Sequence, residues 1–172
     1  MNNPIQTFIH GTLSPDLPPA NPILRPGWGG LAFDRNRYQE LAPSNVWNAL
    51  LEMHCSLTPG NCEIFSITYV QLASGAQPES IPATLPDLDK FWKEDVRFLK
   101  DHYIFSPTHN WLVRLDQDVT LFVGERVFLG RVIDKLGGLD VVMEKMVDDM
   151  DPGPTDSVGL QRYLDSITHP LR

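Results

Sequence analysis

Trp111-Leu112-Val113-Arg114-Leu115-Asp116-Gln117-Asp118-Val119-Thr120-Leu121-Phe122-Val123 decides how this chain folds. Trp111, Val113 and Leu115 alternate with Leu112, Arg114 and Asp116, the period-two pattern of a half-buried strand. Val119 to Val123 is a second run of the same kind. The short Asp116-Gln117-Asp118 link between them predicts a hairpin, and hairpin strands are antiparallel.

Upstream, Tyr103 to Phe105 reads as a further strand that stops at Ser106-Pro107. Leu88, Phe91, Trp92, Val96 and Leu99 form one apolar stripe, which predicts a helix from Asp87 to Lys100. Ser74 to Pro86, with three prolines, reads as a loop, and Glu63 to Leu72, rich in β-branched and aromatic residues, as a strand. Thr58-Pro59-Gly60-Asn61 is a turn signal. Residues 45–55 carry Val46, Trp47, Leu50, Leu51 and His54 at helical spacing, with Ser44 as the expected N-cap.

Downstream, Phe128, Leu129, Val132, Ile133 and Leu136 mark a helix ended by Gly137-Gly138. Val141 to Met150 and the stretch through Leu160, Tyr163, Leu164 and Ile167 mark two more. Strict strand–helix alternation is missing, so the expected class is α+β: a small antiparallel sheet with about five helices in one domain. Seven of the 15 prolines fall in residues 1–43, which predicts a proline-rich arm ahead of a body at 44–172. Ile5 to Ile9 is the expected edge strand of that arm, and Gly27-Trp28-Gly29-Gly30 a loop around a packed Trp.

The 172 residues suffice for one self-supporting core without metal or disulfide. Cys55 and Cys62 are expected as reduced thiols, which with no leader-like start or membrane-length apolar run gives a cytoplasmic expectation. The net charge of −8 argues against nucleic acid and for a basic protein partner, with no membrane role expected.

Leu115-Asp116-Gln117-Asp118-Val119-Thr120-Leu121 resembles the first motif of haloacid-dehalogenase-type phosphotransferases. The resemblance implies Asp116 as nucleophile and Asp118 as general acid around Mg²⁺. Val119 stands where that family usually has glycine, and only 51 residues follow Leu121. Phe8-Ile9-His10-Gly11-Thr12 resembles the strand-end motif of poly-ADP-ribose-polymerase-type ADP-ribosyltransferases. That resemblance implies His10 on a ribose hydroxyl of NAD, Tyr38 stacked on nicotinamide and Glu125 polarising the ribose. The five histidines show no metal-ligand spacing, so neither metal nor cofactor is expected.

The strongest charge asymmetry lies in residues 116–156, where ten acidic residues face four basic ones. Met143, Met146 and Met150 fall there at spacings of three and four, a stripe that suits either core or an adaptable surface. Asp148, Asp149 and Asp151 sit where the helix macrodipole disfavours them. A small acidic α+β chain with the strand pairs Ile104-Phe105-Ser106-Pro107, Asn110-Trp111-Leu112-Val113 and Asp118-Val119-Thr120-Leu121 is similar to bacterial immunity proteins. Those proteins cover a toxin's active site, so the resemblance implies an inhibitor. Its expected contact residues are Asp116, Asp118, Asp148, Asp149, Asp151 and an aromatic anchor, Trp111.

Overall fold

The computed structural model describes residues 3–16, 20–58, 60, 62–150 and 156–172. Helix α1 spans Pro4–Thr12 and strand β1 Trp28–Asp34, followed by a 3-10 turn at Arg35–Arg37. Helix α2 is Ser44–Leu57, strand β2 Glu63–Thr68, helix α3 Tyr69–Ser74 and strand β3 Glu79–Pro82. Helix α4, Leu85–Lys93, leads through the 3-10 segment Glu94–Leu99 to strand β4, His102–Phe105. The hairpin follows as β5, Trp111–Leu115, and β6, Val119–Glu125. Helices α5, Arg126–Lys135, α6, Leu139–Asp149, and α7, Ser157–Thr168, close the chain.

The six strands form one antiparallel sheet in the order β1-β6-β5-β4-β2-β3. The fold is therefore a single α+β domain. Every residue of β5 is buried, and so are the first six of β1 and of β6. Consecutive buried residues require cover on both faces. On one face Trp111 packs edge-on against His54 of α2 and parallel to Phe128 of α5, while Phe91 and Trp92 of α4 meet His102. On the other, Phe8 of α1 meets Phe105, and Tyr69 of α3 stacks on Tyr103. Cross-strand pairing sets Tyr103, Arg114 and Leu121 in one row of that second face.

Helix α6 covers the exposed edge of β1. The Ala32 amide donates to the Met146 sulfur at 3.1 Å and the Asp34 amide to Asp149 Oδ2 at 2.8 Å. An open edge is a template for unwanted pairing, and here a helix side closes it. The methionine stripe is thus core: Met146 is fully buried, and Met143 and Met150 pack against the same cluster.

Several local expectations need correction. Ile5 to Ile9 is helical, because the Asn3 side chain caps the Ile5 amide at 3.0 Å and Pro4 occupies the first helical position. The sheet edge within residues 1–43 is β1, so Trp28-Gly29-Gly30 opens a strand after a turn at Gly27, rather than lying in a loop. The arm joins the body, since its Leu13–Ile23 bridge closes it and Asn21 donates to the Ser166 carbonyl of α7. Pro18 and Pro19 lie outside the described residues, as do Pro59 and Asn61 of the expected turn. Ser44 begins α2 but does not cap it; Pro43 holds that position.

The strand at Glu63 ends at Thr68, whose hydroxyl and the Gln71 side chain form a reciprocal capping box for α3. The expected loop at 74–86 contains β3. Helix α4 stops at Lys93, because Asp95 and Val96 take left-handed φ of 51° and 49°. Val96 and Leu99 are consequently exposed rather than part of the apolar stripe. Cys55 and Cys62 form a disulfide that links the end of α2 to the start of β2. Among the described residues, no helix is long and apolar enough to cross a membrane.

Candidate functional site

The hairpin turn is built by backbone and carboxylate together. The Asp116 amide donates to the Val119 carbonyl at 3.2 Å, and the Val119 amide returns to Asp116 Oδ1 at 3.2 Å. Asp116 Oδ2 also faces Arg114 Nε at 3.2 Å, on the same strand end. Arg114 is almost fully buried and directs Nη1 to the Ser14 carbonyl at 3.0 Å. Its charge is therefore spent on the hairpin and on the N-terminal loop.

Beside this pair the second sheet face opens into a hollow of about 790 Å³. Its floor and wall carry Tyr69, Tyr103, Arg114 and Tyr163, and its rim carries Asp101, Asp118 and Asp156. This volume lies within the range of small-molecule and peptide pockets. Tyr69 and Tyr103 stack nearly parallel with centroids 4.5 Å apart. Among the described residues, four carboxylates, counting Asp116, border the space against one guanidinium that is already paired.

Burial controls the ionisation of the lining groups. It raises the Tyr69 and Tyr103 hydroxyls and pushes Tyr163 up to about 12, so all three stay neutral at ordinary pH. It also raises Asp116, against the pull of Arg114 and of the Val119 and Asp118 amides. Tyr163 has no exposed surface, and its hydroxyl has no hydrogen-bond partner among the described residues. An unsatisfied buried hydroxyl costs ~1–3 kcal/mol.

Arg35, just after β1, fixes the rim from behind. It donates to Asp101 Oδ1 at 3.0 Å and to the Asp116, Phe98 and Lys100 carbonyls at 2.6, 2.7 and 2.7 Å. One rim carboxylate, Asp101, and the backbone carbonyl of Asp116 are thus held by one buried side chain.

The residues expected from sequence are dispersed. Asp116 and Asp118 border the hollow, but on an antiparallel hairpin rather than on the parallel strand end of the phosphotransferase motif. Asp118 is exposed and accepts from Asn36 at 3.4 Å. His10 lies in α1, not at a strand end. Glu125 pairs with Trp28, whereas Tyr38 follows Asp34, which pairs with Val119. Those two ends of β1 are roughly 20 Å apart at ~3.3 Å per residue, so His10, Tyr38 and Glu125 make no nicotinamide site.

Asp149 is buried, accepting from the Asp34 amide and the Tyr38 hydroxyl and facing Arg37 at 3.5 Å. That network satisfies its charge inside the chain and removes it from any contact surface. Trp111 is fully buried against α2 and α5, so it anchors the core and not a partner. Asp148 is exposed, and Asp151 lies outside the described residues. Tyr69, Tyr103 and Asp101 join Asp116 only through the β2–β4–β5 pairing, and Tyr163 only through the placement of α7, so sequence reasoning missed them. Among the described residues, no three His, Cys, Asp or Glu side chains are grouped to hold a metal ion.

Comparison with protein-family models, with curated proteins and with solved structures finds no match.

Proposed function

We propose that this chain is a binding protein that occludes a basic partner protein, in the manner of the bacterial immunity proteins it resembles. One observation carries the reading: among the described residues, four carboxylates border a tyrosine-lined hollow whose only guanidinium is already paired. Such a field steers a cationic surface toward the site and discriminates against acidic ones. Tyrosine supplies contact area at low entropic cost, which suits an interface. The contact surface is then the hairpin end of the sheet rather than the acidic end of α6.

The disulfide bears on where the protein works. A Cys55–Cys62 bond favours an oxidising compartment over the reducing cytoplasm expected from the sequence. The test is capture from a lysate of the source organism by tagged wild type and by Asp118→Lys/Asp156→Lys. Both positions are exposed, and because Asp156 is also the N-cap residue of α7, capture is read beside the melting temperature of the variant. A stoichiometric basic protein, lost with the variant and weakened by salt, supports the proposal. Capture that ignores both changes, or no capture at all, contradicts it.

A further inference from the structure

Three tyrosines line the hollow inside its carboxylate rim, and one of them carries a buried hydroxyl with no hydrogen-bond partner among the described residues. Tyr163 is fully buried in α7, borders the hollow, and offers a hydroxyl without a partner among the described residues. Tyr69 and Tyr103 present stacked rings on the sheet side. Asp116 borders the same hollow, with one oxygen toward Arg114 and the other on the Val119 amide.

We infer that this hollow is a specific seat for one basic side chain of the partner, with the guanidinium or ammonium group inserted among Tyr69, Tyr103, Tyr163 and Asp116. The inference rests on the binding-protein reading and names what that site receives. Cations are attracted to the faces of aromatic rings, the more so where water is excluded. A guanidinium adds planar stacking and several donors, one of which can reach the waiting Tyr163 hydroxyl oxygen. The volume of about 790 Å³ exceeds one side chain and accommodates the flanking residues of a loop as well. Burial raises Asp116, and an inserted cation would favour its charged form, so carboxylate and guest support each other.

The experiment uses blocked tripeptides with a central arginine, lysine, citrulline or glutamate, titrated into the isotope-labelled full chain and followed by backbone amide shifts. The arginine and lysine peptides should shift residues 114–118 and 157–163 saturably, with the millimolar affinity usual for so small a probe. Citrulline, the uncharged isostere of arginine, should bind at least tenfold more weakly, and glutamate not at all. Tyr163→Phe should weaken the arginine peptide severalfold while leaving the fold intact, because it deletes only an unpaired hydroxyl. Asp118→Asn serves as a second variant that removes a rim charge without touching the interior. Equal binding of arginine and citrulline peptides, or no saturable shift in the hollow, overturns the inference. If the hollow ignores these peptides while a basic protein is still captured through Asp118 and Asp156, this inference falls and the proposed function stands. Peptide binding without any captured protein would do the reverse.

Discussion

Arg35 and Asp101 form the ion pair that sets the geometry of the hollow. Nη1 lies 3.0 Å from Asp101 Oδ1, and the same guanidinium donates to three backbone carbonyls. One buried fork therefore ties the turn after β1 to the 98–101 segment and to the hairpin. Arg35→Met should destabilise the protein by ~3–5 kcal/mol in denaturant titration, since three carbonyls and a carboxylate lose their donor. Arg35→Lys should recover little of that, because an ammonium cannot span the same four acceptors.

Asp149 and Asp148 are neighbours with opposite roles. Asp149 closes the β1 edge and holds Tyr38, whose ionisation is suppressed by burial and by the adjacent carboxylate. Asp149→Ala should cost ~3 kcal/mol and Tyr38→Phe ~1 kcal/mol, with clear coupling in a double-mutant cycle. Asp148→Ala should stay within ~0.5 kcal/mol of wild type. Thermal and urea unfolding of the five proteins, wild type and double variant included, decide this.

Two buried histidines give the fold a defined acid sensitivity. Burial lowers His102 to about 4, and burial also lowers His54, against the opposing bond to the Glu63 carbonyl. In the unfolded chain both would titrate near ~6.5. Lowered folded values mean that stability is complete above that pH and falls as the unfolded state takes up protons, progressively toward pH 4. His102→Phe should flatten this loss between about pH 6.5 and 4, as followed by melting temperature against pH. A slope unchanged by the substitution would contradict the assignment.

The Cys55–Cys62 bond closes a short loop between α2 and β2. Loop-closure entropy for so small a ring predicts a loss of ~2.5 kcal/mol on reduction or in Cys55→Ser/Cys62→Ser. Thiol titration of the denatured, non-reduced protein should find no free thiol, and two should appear after reduction.

The hairpin and the helices after it are legible in sequence because each depends on a local pattern: alternation across Trp111 to Val123, and helical spacing from Phe128 onward. Two of the misread segments are places where a capping side chain overrides propensity. Asn3 with Pro4, and Thr68 with Gln71, start helices inside runs whose composition favours strands. These signals were present and local. The hollow was half legible: Asp116 and Asp118 stand out in sequence, whereas Tyr69, Tyr103 and Tyr163 come to them only through strand order and the placement of α7. The acidic end of α6 misleads because Asp149 answers to the Asp34 amide, a contact 115 residues away in sequence.

The most direct test of the central claim is hydrogen–deuterium exchange of the chain alone and with its captured partner. New protection is expected at residues 114–119 and 156–163, around the hollow, and none on α6 at 139–149. Protection confined to α6, with the hairpin end unchanged, would contradict it.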